Sequence, residues 1–185
     1  MSAPDFGFLA IDDLPPHDHI VSKCREDLES GGIPLFNRPG GAVIAWVTFG
    51  PGITLHQALT QDFSAKKLGA NPATLVQVPR VHDFFSIETE GWGSVGFIVM
   101  EYVDAPDCTS GDVQLVANTV QTLIGIQGPT TIPGHLGGGP VVHSFFLDDG
   151  TSPFKYRNVN ELESHINRVS DPYGFDKPRE DLRPK

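Results

Sequence analysis

Apolar and polar residues along this chain alternate in two periods, and the switch between them marks the elements. Residues 42–49 read Ala-Val-Ile-Ala-Trp-Val-Thr-Phe, rich in β-branched and aromatic types, and predict a strand closed by Gly50-Pro51-Gly52. Thr54-Leu55-His56-Gln57 then fits a capping box, with Thr54 as N-cap and Gln57 reaching back to its backbone. From there Leu55, Ala58, Leu59, Asp62, Phe63 and Lys66 fall on one helical face, and Gly69 or Asn71-Pro72 ends the helix. Two β-rich runs follow, residues 76–85 and 97–103, separated by a loop at 88–96 that holds three glycines and Trp92. They predict an antiparallel hairpin. The second run has few polar interruptions, so both its faces are expected to be covered. It stops at Asp104-Ala105-Pro106-Asp107, where the proline favours a turn.

The flanks are less patterned. Residues 1–17, with Pro4, Pro15 and Pro16, read as a loosely ordered lead-in. Ile20, Cys24 and Leu28 form a weak helical stripe that Gly31-Gly32 ends, and Phe36-Asn37-Arg38-Pro39-Gly40-Gly41 is a cluster of turn residues. Thr109-Ser110-Gly111-Asp112 opens a second helix, with Val113, Val116, Ala117, Val120, Leu123 and Ile124 as a continuous apolar stripe. Residues 128–153 are dense in glycine and proline and predict an irregular stretch. Asn158 with Glu161 caps a third helix, whose apolar face is Val159, Leu162, Ile166 and Val169. Residues 171–185 read as a charged tail. The sum is an α+β chain with no internal repeat.

Composition narrows the partners. The net charge is −10 and no basic cluster occurs, which argues against nucleic acid and anionic membrane. Cys24 and Cys108 lie far apart and match no metal spacing, so reduced thiols in the cytoplasm are the expectation. Residues 1–11 lack the basic region and apolar run of a signal peptide, and no segment approaches the length of a membrane span.

Two sets of residues carry a resemblance. Val78-Pro79-Arg80-Val81 followed by Phe97-Ile98-Val99-Met100-Glu101-Tyr102 resembles the small lobe of fungal kinase-fold proteins related to aminoglycoside and choline phosphotransferases. In that family the first element reads roughly V-P-x-V, and the second is the last strand of the lobe plus the hinge. Pro133-Gly134-His135-Leu136-Gly137-Gly138-Gly139, Ser144-Phe145-Phe146, and Pro153-Phe154 with residues 159–167 are similar to the insert such proteins carry before their catalytic loop. The resemblance spans residues 33–170 as short motifs in order rather than one signature. It implies a protein-kinase-like small lobe, an antiparallel sheet plus helix, with the helical start of the large lobe. The divisions would be a lead-in and short helix at 1–32, small lobe and hinge at 33–103, partial large lobe at 104–170 and the tail at 171–185.

The resemblance also implies ATP as ligand, with Val43, Ala45, Met100, Glu101, Tyr102 and Val103 around the base, and it leaves magnesium open. Phosphoryl transfer needs a lysine on the phosphates, a helix glutamate to orient it, a catalytic-loop aspartate, and an asparagine and a second aspartate on the metal. At the position implied for the lysine stands Thr48, and for the glutamate Gln57. Thr48 is equally an ordinary strand residue, and Gln57 a capping partner. No His-x-Asp occurs anywhere, so the chain is expected to stop before the catalytic loop. Three readings follow: a degenerate nucleotide-binding or regulatory pseudokinase, a protein-interaction module whose exposed stripes meet a partner or a second copy, and an atypical small-molecule kinase.

Other literal motifs fail on context. Asp5-Phe6-Gly7 spells a magnesium motif but precedes every strand. Gly91-Trp92-Gly93-Ser94-Val95-Gly96 spells a dinucleotide fingerprint but leads into a strand, not a helix. His17-x-His19 followed by an acidic residue could suggest a metal-binding β-barrel, but it lies in the proline-flanked lead-in rather than on the adjacent strands such a site needs.

Overall fold

The computed structural model describes residues 7–9, 11–27, 31–90, 93–143, 145–146 and 150–170. The chain divides into two compact units, Met1–Gln127 and Gly128–Lys185.

The first unit is built on a four-stranded antiparallel sheet, which makes the chain α+β. The strands are β1 Gly32–Phe36, β2 Val43–Gly50, β3 Val81–Thr89 and β4 Gly93–Met100, in the spatial order β1-β2-β4-β3. Helix α1, His17–Glu26, precedes the sheet; α2, Leu55–Gly69, lies between β2 and β3 in sequence; α3, Val113–Ile124, follows it after a 3-10 turn at Ser110–Asp112. β4 is central and pairs with β2 on one side and β3 on the other. Its residues Gly96, Phe97, Ile98 and Val99 are buried, so both faces of this strand are covered as the run of apolar residues required.

Alternation along the strands divides the core in two. On one face Ala45, Val47, Phe85, Phe97 and Val99 pack with Ile20 and Cys24 of α1. On the other, Val81 and Ile98 pack with Ala58 of α2 and half-buried Ile53, Phe84 and Met100. Cys24 is 1% exposed and burial pushes its thiol up to about 11, which makes it a packing residue rather than a nucleophile.

The capping box at α2 is present in full. The Thr54 hydroxyl accepts from Gln57 N at 3.4 Å, and Gln57 Oε1 accepts from Thr54 N at 2.8 Å. The helix ends at Gly69.

Several expected boundaries move. α1 begins at His17, inside the expected lead-in, because His17 stacks on Phe85 at 3.8 Å and its Nε2 meets Asp83 Oδ2 at 2.7 Å. Leu28, expected on its stripe, lies outside the described residues. β1 was not expected at all. Five residues containing Pro34 carry too little pattern, and its partner β2 supplies the ladder. The hairpin turn is shorter than residues 88–96. Glu88 pairs with Ser94 and Thr89 with Gly93, so two of the three loop glycines, Gly93 and Gly96, are strand residues. Residues 76–80 and 101–103 are not strand, because the ladder closes at Val81 and Met100. The buried face of α2 is Ala58, Asp62, Ala65 and Leu68, rotated from the expected stripe; Lys66 is exposed and pairs with Asp62 at 2.7 Å.

Among its described residues the second unit is irregular from Gly128 until α4, Val159–Ser170, apart from a bridge between Val142 and Thr151. Asn158 Oδ1 accepts from Glu161 N at 3.0 Å, while the Glu161 carboxylate takes the Arg157 N–H at 2.8 Å, one residue before the one a capping box would use. The expected tail at 171–185 and the side chain of Val169 lie outside the described residues. No helix among the described residues is long and apolar enough to cross a membrane.

Candidate functional site

β4 leaves the sheet at Met100 and runs into the connector 101–109, so the site is built from the end of a buried central strand. Met100 pairs with Trp46 across β2 and with Val81 across β3. From α2, Gln61 Nε2 donates to Met100 Sδ at 3.3 Å and to Pro79 O at 2.9 Å. One helix side chain therefore holds both the end of β4 and the approach to β3. Glu101 is tied to Arg80 by two bonds: its N–H donates to Arg80 O at 2.8 Å, and its Oε2 accepts from Arg80 N at 3.3 Å. The Val103 carbonyl accepts from Ala105 N at 3.1 Å and turns the chain away from the sheet. Tyr102 stays exposed, its ring 6.5 Å from that of Trp46 at an interplanar angle of 23°. The indole of Trp46 lies over β1, where a Cβ on Gly32 would come within 2.6 Å of its Nε1.

The eight residues expected around a nucleotide fall in separate places. Ala45 is fully buried in the core beneath α1, and alternation puts half-buried Val43 on its side. Thr48 is three residues from Ala45 and so faces the other way; its hydroxyl donates to Gly31 O at 2.9 Å. Gln57 sits at the N-terminus of α2, with its Oε1 engaged in the cap. Met100, Glu101, Tyr102 and Val103 follow one another at the connector. The structure thus brings Met100 and the connector together with Trp46, a residue the sequence reading passed over. The signal that finds Trp46 is register. Once β2 is paired with β4, the residue opposite Met100 is fixed, and it is Trp46.

The electrostatics of this face are plain. None of the four strands contains a lysine or arginine. Lys66 is paired with Asp62, and Lys67 Nζ lies 5.5 Å from the centre of the Phe63 ring. Among the described residues no group of three or more histidine, cysteine or acidic side chains converges as a metal site would. A flat uncharged ring suits the Trp46–Tyr102 surface; a triphosphate would find no cation in the sheet.

The second unit holds a different cluster. The Tyr156 hydroxyl hydrogen-bonds Nδ1 of His165 on α4, and Phe146, Phe154 and Tyr156 ring the imidazole at centroid distances of 6.0, 5.6 and 5.7 Å. Ser152 closes the floor, accepting from Val141 N at 3.0 Å and donating to Phe154 O at 2.8 Å. Burial, with Arg168 adding to it, holds the His165 pKa below its ordinary 6.5; burial pushes Tyr156 up, opposed by Ser152. A histidine whose pKa is depressed by folding is protonated first in the unfolded chain. Its contribution is therefore present above pH 6.5 and lost as pH falls from there through the lowered folded value. Amide protection in α4, corrected for the slowing of intrinsic exchange at lower pH, is expected to fall from pH 7.5 to about 5, and His165→Gln should flatten that dependence. An unchanged dependence in the variant would assign the titration to another group.

Comparison of the chain with family models, with characterised proteins and with solved structures finds no match in any of the three.

Proposed function

We propose that this chain is a degenerate kinase-like small lobe that binds a nucleotide through its base and does not transfer phosphate. The observation that carries the reading is the junction at Met100. The strand resembling the last of the lobe is central, faces Trp46, and passes directly into a connector whose Tyr102 stacks on that indole. The element order supports it too. The helix that would bear the glutamate, α2, directly follows the strand that would bear the lysine, β2. Transfer is left out because both charges are replaced. Thr48 bonds a backbone carbonyl, and Gln57 caps its own helix. These two losses agree, since an orienting anion has no purpose without its cation.

The test is a thermal melt of the full chain with magnesium-ATP and, separately, adenosine. A ligand at about one hundred times its dissociation constant adds roughly 2.7 kcal/mol. For a chain of this size that is on the order of 5–10 °C. The expected result is a shift with adenosine about as large as with ATP, and its loss in Tyr102→Ala. A cooperative melt that neither ligand moves sinks the nucleotide reading.

A second reading, a protein-interaction module, is favoured by α3, none of whose side chains is buried.

A further inference from the structure

We propose that α3 is the contact between two copies of this chain. The inference rests on the interaction reading and is independent of nucleotide binding.

Four observations lead to it. The first is the direction the helix faces. Its least exposed residues, Thr119 and Thr122 with Ile126 just beyond, lie on a different face, which they share with Leu115, itself 62% exposed. Thr122 and Ile126 line an open cleft of about 330 Å³ with Lys67, Leu68 and Asn71 at the end of α2. The apolar stripe points to solvent: Val113 is 67% exposed, Val116 41%, Val120 46%, Leu123 38% and Ile124 74%. A surface helix normally turns these residues inward.

The second is spacing. Val113, Val116, Val120 and Leu123 recur at intervals of three, four and three, which is the seam of a pair of packed helices. Such a seam is self-complementary under a twofold axis, so a second copy presents the surface that fits it.

Charge is the third. Two chains of net charge −10 repel wherever their acidic surfaces meet. Between Asp112 and His135 no side chain is ionisable, so α3 lies in a stretch through which two copies approach without bringing like charges together. A partner chosen for basic charge would have nothing to read on this stripe.

The fourth is area. The stripe offers about 500 Å² per copy, hence about 1,000 Å² in a twofold pair, the lower bound for a specific interface. An interface at that lower bound makes a weak dimer, with a dissociation constant in the micromolar range or above.

The experiment is sedimentation of the full chain across that concentration range, with amide exchange followed on α3. The mass is expected to rise from 20.0 kDa towards twice that value as concentration passes the midpoint. Exchange in α3 should slow over the same range. Added salt should tighten the pair, because it screens the repulsion while leaving the apolar seam intact. The double substitution Val116→Asp with Val120→Asp should weaken association at least ~100-fold by burying carboxylates at the seam. Leu75→Asp, at a residue 95% exposed and outside α3, should leave it unchanged. If the double variant fails to fold, the concentration dependence of α3 exchange in the native chain decides. A monomer at every concentration overturns the proposal, as does a double variant that dimerises like the native chain. Should the monomer show fast exchange in α3, the stripe is open to a different protein. Slow exchange in a monomer would mean that the chain covers the stripe itself, and the interaction reading falls as well.

Discussion

Replacing Phe97 by alanine is expected to destabilise the first unit by about 3–5 kcal/mol. Phe97 is 2% exposed and stands in the middle of β4, opposite Phe49 of β2 and Phe85 of β3. Its ring lies 4.7 Å from that of Phe85, nearly parallel at 4°, and 5.9 Å from that of Phe49 at 15°. His17 extends the row by stacking on Phe85 at 3.8 Å. Four rings therefore run across one face of the sheet and into α1, and Phe97 is the one bonded on both sides to neighbouring strands. Removing it leaves a cavity that β-strands held by ladders on either side cannot close. The check is urea unfolding of the full chain followed by tryptophan fluorescence. With an m-value of ~2 kcal/mol/M the midpoint should drop by about 2 M. Leu75→Ala is the control and should stay within ~0.5 kcal/mol, because Leu75 is almost wholly in solvent. A loss under ~1 kcal/mol for Phe97→Ala would mean that the row of rings does not stand at the centre of the core.

Gly96→Ala is expected to destabilise by about 1–3 kcal/mol or more, although it adds only a methyl group. A Cβ at Gly96 would sit 2.0 Å from the carbonyl oxygen of Ile53 and 2.8 Å from its carbonyl carbon. Those atoms are backbone, and they belong to the short link between β2 and α2. Ile53 N is itself bonded to Gly50 O at 3.2 Å, and Gly50 pairs with Gly96 across the ladder. The link cannot yield without lifting the Thr54 cap and the start of α2 from the sheet. The sign of the effect discriminates between two roles. A loop glycine with an ordinary backbone would be stabilised by alanine, by ~0.4–1 kcal/mol, through the unfolded state. A glycine that admits a neighbouring backbone is destabilised. A melting temperature that falls, with faster exchange at the first turn of α2, is the expected outcome; a rise would return Gly96 to the loop.

Gly96 also shows where sequence reasoning stops. In the linear chain it closes a run of three glycines around Trp92 and reads as part of a turn. The turn is shorter because Glu88 finds Ser94 and Thr89 finds Gly93, a register that no local pattern states. β1 is similar. Gly32-Ile33-Pro34-Leu35-Phe36 has a proline and a glycine in five residues, and it becomes a strand because β2 offers an unpaired edge. The buried face of α2 keeps Ala58 and Asp62 of the expected stripe but is rotated enough to bring Ala65 and Leu68 inward and to leave Lys66 in solvent, where it answers the charge of Asp62.

Local chemistry fixes what depends on neighbours within about four residues. The Thr54–Gln57 box, the helix opening at Thr109–Asp112, the end of α2 near Gly69 and the stripe of α3 could all be read before folding, because caps and periodicities act over that range. The antiparallel character of the sheet and the covered faces of residues 97–99 were legible for the same reason. Partners across the sheet were not. That Trp46 stands opposite Met100, that Ala45 faces α1 while Thr48 faces away, and that β2 and β4 are the two inner strands are decided by strand order and register. The orientation of α3 belongs to the same class. Its sequence set an apolar stripe, but only the tertiary structure turned that stripe to solvent, because burial is a property of what lies opposite a face and not of the face itself.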